Sequence, residues 1–196
     1  MIFDFGGVII PIDFEAPIRA FKKLGIELEG EFSFLKQDPI FDRFDRGEAS
    51  SKEVLGFFRS KLPAKSNATD ADLLHAWNEI LGVMPKARIE LLERLQKKYR
   101  LFMLSNTNPL HIQCIRDHDP LMPRMEACFE KLYFSYEIGH RKPEEKSFLT
   151  ITEEQGIEAQ DTLFIDDHPL NISAAQKLGF QVLHCRSELT DLMKKY

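Results

Sequence analysis

The sequence predicts an α/β fold: a doubly wound parallel sheet built from the two ends of the chain, with an all-helical segment inserted after the first strand. Three observations carry this. A short apolar run over residues 1–5 stops at Gly6 and Gly7, as a strand does at a turn. From residue 13 to about 82 the apolar side chains recur at helical spacing, and no strand pattern interrupts them. Beyond residue 100 short apolar runs alternate with amphipathic stretches, the signature of parallel strands joined by crossover helices.

Taken in order, the opening run is short for a strand that starts a sheet, as in a chain that begins downstream of its natural start. Phe14, Ile18, Phe21 and Leu24 then mark a helix ending at Gly25, and Val54, Leu55, Phe58 and Leu62 mark another, with Ser50 and Glu53 as its capping box. Leu73, Leu74, Trp77, Ile80 and Leu81 form a third apolar stripe, and Ile89, Leu92, Leu95 and Tyr99 a fourth, after Pro85. Strands are expected over 101–104, 132–134, 162–165 and 181–185. Helices over 144–155 and 172–178 separate them and end at Gly156 and Gly179. Residues 1–10 and 84–196 would form the α/β core, and 11–83 the helical insert. Eight phenylalanines of the insert (Phe14, Phe21, Phe32, Phe34, Phe41, Phe44, Phe57 and Phe58) are expected to be its own core.

Composition narrows the function. At 196 residues, 43% apolar and 29% charged, the chain is an ordinary folded protein with room for a real core. A net charge of −5 argues against a sequence-independent nucleic-acid binder, so any bound phosphate needs a local site or a metal. Cys114, Cys128 and Cys185 are odd in number and widely spaced, which speaks for reduced thiols in a cytoplasm rather than for disulfides or a zinc site. No apolar run reaches the length of a membrane span. A soluble, cytoplasmic monomer is expected.

Ligands of open parallel sheets sit beyond the carboxyl ends of the strands. The polar residues there are Asp4 in F-D-F-G-G-V, Ser105 and Asn106 after the strand ending at Leu104, and Asp166 and Asp167 after Ile165. Lys142, in G-H-R-K-P, lies in a loop that reaches the same crevice. Paired carboxylates, a lysine and a hydroxyl/amide pair are what a Mg²⁺-assisted phosphoryl site needs. Arg43, Asp45 and Arg46 read as a solvated turn, and His111, Asp117, His118 and Asp119 as a polar surface loop. His168 reads as a loop residue, since Mg²⁺ prefers oxygen.

These motifs, in this order, resemble the haloacid dehalogenase (HAD) superfamily of hydrolases over essentially the whole chain. The strings F-D-F-G-G-V-I, F-D-R-G-E-A-S, L-S-N-T-N, R-K-P and F-I-D-D-H-P-L-N-I are most similar to the branch of bacterial α-glucose-1-phosphate phosphatases and the phosphatase domain of soluble epoxide hydrolases. The resemblance implies a Rossmann-like core, a helical cap over the active site, a Mg²⁺ cofactor and a small phosphorylated metabolite, such as a sugar phosphate, as substrate. It implies Asp4 as the nucleophile that forms an aspartyl-phosphate. Ser105 and the backbone N–H of Asn106 would bind phosphate, and Lys142 would offset its charge. Asp4, the carbonyl of Gly6 and the acidic pair would hold the metal. Spacing alone leaves open which acid of the pair touches it; the family motif aligns Asp167 with the ligand position, Asp166 as second choice, and Asn171 with a site-orienting position. Gly6 stands where the family's phosphatases usually carry an acid/base Asp, which general acid–base catalysis values at roughly 10²–10⁴ in rate. The alternatives are therefore a catalytically weak or inactive phospho-ligand or protein-binding module, and a metal-independent haloacid dehalogenase, against which the retained Asp166 and Asp167 argue.

Overall fold

The computed structural model describes residues 1–28, 32–33 and 36–196. Strand β1 (Ile2–Phe3) passes through the Gly6–Gly7 turn into α1 (Glu15–Lys23), a two-residue antiparallel ladder of β2 (Phe32–Ser33) and β3 (Lys36–Gln37), then α2 (Pro39–Asp45), α3 (Ser51–Lys61) and α4 (Asp70–Asn78). Helix α5 (Lys86–Leu95) leads back to β4 (Phe102–Ser105), followed by α6 (Pro109–His118), α7 (Met122–Glu126), β5 (Lys131–Phe134), α8 (Ser135–Ile138) and α9 (Glu145–Gln155). A 3₁₀ turn (Ala159–Asp161), β6 (Leu163–Asp166), α10 (Pro169–Lys177), β7 (Gln181–His184) and α11 (Leu189–Leu192) complete the chain.

The five long-range strands form one parallel sheet in the order β5-β4-β1-β6-β7. Strand β1 is central, with Ile2 opposite Phe102 and Phe164 and Phe3 opposite Met103 and Ile165. Alternation along these strands feeds two faces. Ile2, Phe102 and Phe164 pack with Phe148 and Phe180 on one side, whereas Phe3, Met103 and Ile165 pack with Ile89 and Leu92 of α5 on the other. With helices on both faces, β4 and β6 are buried at every residue and read as unbroken apolar runs.

The inserted segment has an aromatic cluster of its own. Phe21, Phe41, Phe44 and Phe58 are fully buried, Phe21 stacks on Phe58 at 4.4 Å, and Phe41 on Trp77 at 5.0 Å. Phe57 is partly buried against them, but Phe14 is 57% exposed and belongs to the mouth of a crevice rather than to a core. Phe34 lies outside the described residues, and Phe32 is described through its backbone. Capping boxes start both α3 (Ser50 with Glu53) and α4 (Thr69 with Asp72). The two connections to the sheet run side by side, with Ile12 bridged to Leu81 and the Gly82 N–H donating to the Pro11 carbonyl at 2.9 Å.

The insert is not all helix, since β2 and β3 pair within it, and three further stretches depart from the sequence expectations. Residues 109–118 are helix, not surface loop: Asn108 caps the helix by accepting from the His111 N–H, Pro109 supplies its first turn, and Ile112 and Ile115 are buried. The Arg43–Arg46 stretch is no solvated turn, because Asp45 closes α2 with 8% exposure. Helix α10 also begins at Pro169, three residues earlier than the apolar pattern indicates, with His168 as its cap. Among the described residues no helix is long and apolar enough to cross a membrane.

Candidate active site

The order of strands reverses at β1, whose neighbours β4 and β6 lead away in opposite directions, and a crevice opens beyond their carboxyl ends. Asp4 continues β1 by donating its N–H to the Ile165 carbonyl at 2.8 Å, and its Oδ1 accepts from the Phe5 N–H at 2.6 Å. The loop between α8 and α9 carries Lys142 into the same place. Its Nζ lies 2.8 Å from Asp4 Oδ1 and 2.7 Å from Asp166 Oδ2. Asn106 holds that loop by a reciprocal pair with the Lys142 backbone, donating through Nδ2 to the carbonyl and accepting at Oδ1 from the N–H, each at 2.8 Å.

Asp166 is fully buried and fully engaged. Besides Lys142, Asn171 Nδ2 donates to both its oxygens (3.0 and 3.1 Å), and the His168 N–H donates to Oδ1 at 2.8 Å. Asp167 faces the other way: it is exposed, lines the crevice, and its carboxylate accepts from no other described residue. Gly7 makes room for it. Its φ is +76°, and a Cβ there would sit 2.2 Å from Asp167 Oδ2, so glycine is required by conformation and by space. Gly6 has no left-handed backbone, but a Cβ would meet Ile12 Cγ1 at 3.1 Å and Cδ1 at 3.4 Å, so Ile12 would have to give by a few tenths of an ångström. Ser105, at the end of β4, is 2% exposed and also lines the crevice.

All the site residues expected from the sequence thus converge: Asp4, Gly6, Ser105, Asn106, Lys142, Asp167 and Asn171 line the crevice, and Asp166 lies beneath it. One oxygen each from Asp4, Asp166 and Asp167 lie within 4.8 Å of one another. Three carboxylates about one buried ammonium leave an excess of negative charge, and an all-oxygen donor set suits a hard dication. Burial pushes the Asp4 carboxyl well above its ordinary range, with Lys142 pulling it down and Asp166 pushing it up. Burial also raises Asp167, and Asp166 adds to this. Burial alone would lower the Lys142 ammonium, but Asp166 and Asp4 together hold it above its usual value.

The crevice encloses 220 Å³, below the roughly 300–1,000 Å³ of pockets for drug-sized ligands, and so suits a small molecule. Its far wall was not legible in the sequence. Asp45 of α2 accepts from Asn108 Nδ2 at 3.4 Å and pairs with Arg141 Nη2 at 3.2 Å. His111 is 9% exposed, lies parallel to Trp77 at 4.8 Å, and donates through Nδ1 to Asn78 Oδ1 at 2.9 Å. Burial drops its pKa to about 3, so the ring is neutral. The N-P-L string after S-N-T is a helix start, and reading it so would have placed His111 one turn into a helix that faces the site.

Carboxylates gathered at a sheet switch point beside a buried lysine, with an oxygen-only place for a cation, equip an enzyme that handles anions. A family model described as haloacid dehalogenase-like hydrolase matches residues 1–179, and the chain belongs to that family. A D-ribitol-5-phosphate phosphatase of Bacteroides thetaiotaomicron is 29% identical over 204 residues, covering 98% of this chain and 97% of that one. A crystal structure of a HAD family enzyme from Bacteroides thetaiotaomicron, a mutant in complex with magnesium and inorganic phosphate, superposes with a TM-score of 0.90 at 32% identity, covering 98% of this chain and 97% of that one. A HAD-like family hydrolase from Porphyromonas gingivalis has a TM-score of 0.78 at 30% identity, covering 93% of this chain and 88% of that one.

Proposed function

We propose that this protein is a Mg²⁺-dependent phosphatase of small phosphorylated metabolites of the sugar or polyol phosphate class. The observation that carries the reading is the Asp4–Lys142–Asp166 chain of contacts, with Asp167 close enough to share a cation. Similarity to a D-ribitol-5-phosphate phosphatase and to a HAD enzyme crystallised with magnesium and phosphate supports it.

In this reading Asp4 attacks phosphorus, the ester P–O bond breaks, and the leaving alkoxide takes a proton from water as an aspartyl-phosphate forms, since Gly6 offers no acid. Water then cleaves the acyl phosphate, returning Asp4 and releasing inorganic phosphate. Ser105 and the Asn106 N–H hold a phosphate oxygen; that N–H donates to no described residue and so is available. Lys142 offsets the crowded negative charge. Asp4, Asp167, Asp166 and the Gly6 carbonyl hold the Mg²⁺, which supplies Lewis-acid stabilisation of phosphoryl charge when bound. Asp167 is the foremost ligand of the pair, since the oxygens of Asp166 are already spent on Lys142, Asn171 and the His168 N–H. Asn171 orients the site through Asp166. Residues 11–83 serve as a cap and 1–10 with 84–196 as the core. The free thiols Cys114, Cys128 and Cys185 support a reducing compartment such as the cytoplasm.

Gly6 favours the second reading, a weak or inactive phospho-ligand or protein-binding module, because it lacks the acid/base carboxylate. A panel of phosphorylated metabolites, assayed with Mg²⁺ and with chelator, separates the two. The phosphatase reading expects metal-dependent phosphate release that Asp4→Asn reduces to background while the circular dichroism spectrum is retained. Binding without release on any substrate would support the module, and full activity in a folded Asp4→Asn protein would sink the proposed nucleophile.

A further inference from the structure

His111 stands in the far wall of the crevice, where the partner of one ring nitrogen sets what the other can do. Its Nδ1–H is committed to Asn78 Oδ1 at 2.9 Å, and its ring lies flat against Trp77, 10° from parallel. Its backbone N–H is taken by Asn108 Oδ1 at 3.1 Å. No described residue pairs with Nε2, although the imidazole lines the crevice. A neutral ring that donates at Nδ1 can do nothing at Nε2 except accept. An acceptor without a donor in a small crevice is matched by a ligand donor. The carboxylate at this wall is engaged: Asp45 faces Arg141 at 3.2 Å, so a ligand ammonium there would have to compete with a guanidinium. A neutral O–H is left, with Ile80, Leu81 and Phe14 beside it as a surface for carbon.

We propose that His111, fixed by Asn78 and Trp77, is a specificity-determining residue that accepts a hydrogen bond from a hydroxyl on the carbon chain of the phosphorylated substrate. This rests on the phosphatase reading of the site and names the residue that would select a hydroxylated chain. The residue does not touch phosphorus. Its loss should therefore alter discrimination between substrates and leave phosphoryl transfer itself intact.

The test compares ribitol 5-phosphate with pentyl phosphate, which has the same five-carbon chain without hydroxyls. In His111→Phe, which keeps a ring against Trp77, kcat/KM for ribitol 5-phosphate should fall about tenfold, the worth of one neutral hydrogen bond, through KM. The value for pentyl phosphate should stay within twofold. Asn78→Leu provides the second variant: without an acceptor at Nδ1 the ring is free to carry its proton on Nε2, which then donates, and the same selective loss should follow in part. His111→Gln, which retains an acceptor oxygen, should recover part of the discrimination. Equal losses on both substrates, or no loss on either in folded variants, would overturn the proposal. If the wild-type protein hydrolyses neither compound, the phosphatase reading is judged on the wider metabolite panel and the role of His111 on binding. Calorimetric affinities of wild type and variants for the same two phosphates then decide the role of His111 by the same ratio.

Discussion

Asp166 and Asp167 are adjacent in sequence and opposite in circumstance. Asp166 is fully buried and saturated by Lys142, Asn171 and the His168 N–H; Asp167 is exposed and its carboxylate accepts from no other described residue. Removing them should have different consequences. Asp166→Ala strips a buried ammonium of one of its two carboxylates, and breaking a buried pair costs roughly 3–5 kcal/mol, here toward the lower end because Asp4 stays 2.8 Å from Lys142. Asp167→Ala should leave stability within about 0.5 kcal/mol, the usual range for an exposed position, while weakening Mg²⁺ binding at least as much as Asp166→Ala does. Urea denaturation and a Mg²⁺ titration of both variants check this, and a large stability loss in Asp167→Ala would contradict the division. Residues of this kind were legible in the sequence because a polar residue directly after an apolar strand has few other places to go. Asp45, His111 and Arg141 were not, since their importance comes from which helix docks against which, and nothing in their local sequence records that.

At the scale of elements, the strands and the crossover helices followed from periodicity, and the misreadings fall where polarity masks a helix. Helix α6 carries Gln113, Arg116, Asp117 and His118 on one side and buries Ile112 and Ile115 on the other, a narrow stripe within a ten-residue helix. The end of α2 shows a similar effect: F-D-R-G is charged because it docks onto another charged segment. Arg46 forms a bidentate pair with Glu144 (3.0 and 2.5 Å) and a third bond to Asp42, while Arg141 reaches Asp42 and Asp45. Gly47, immediately after, has φ +72°, and a Cβ would fall 2.2 Å from the carbonyl oxygen of Tyr136, a backbone atom that cannot swing aside. Gly47→Ala should therefore cost more than the 1–2 kcal/mol of a left-handed alanine alone. A fall in melting temperature several degrees greater than that of Gly56→Ala, where a Cβ meets nothing within 4 Å, would bear this out. Equal effects would refute the close approach.

Across the whole molecule, the aromatic cluster of the insert is packed separately from the two clusters flanking the sheet, although Leu110 of α6 reaches it from the sheet side. Among the described residues, contacts that join them include the paired connections at Pro11 and Gly82, the contact of α4 with α6 through Asn78 and His111, and, third, the charged contact of α2 with the loop that carries Lys142. The third matters most for chemistry, since Glu144 and Arg141 flank Lys142 in sequence and are held from the insert side. Arg46→Ala releases Glu144 and Asp42 together. Both partners are partly exposed, with Arg46 21% and Glu144 40% accessible, so the stability cost should be modest, on the order of 1 kcal/mol. The crevice, in contrast, is lined by Asp45 and Trp77 of the insert and by Asp4 and Ser105 of the sheet, so a shift of α2 would move part of its lining. The variant should accordingly melt within a few degrees of the wild type and bind Mg²⁺ unchanged, while KM for a phosphorylated substrate rises about tenfold or more, as misplacement by an ångström is able to cause. An unchanged KM in the folded variant would mean that the connections and α4 alone position the insert, and that the charged contact contributes only to the surface.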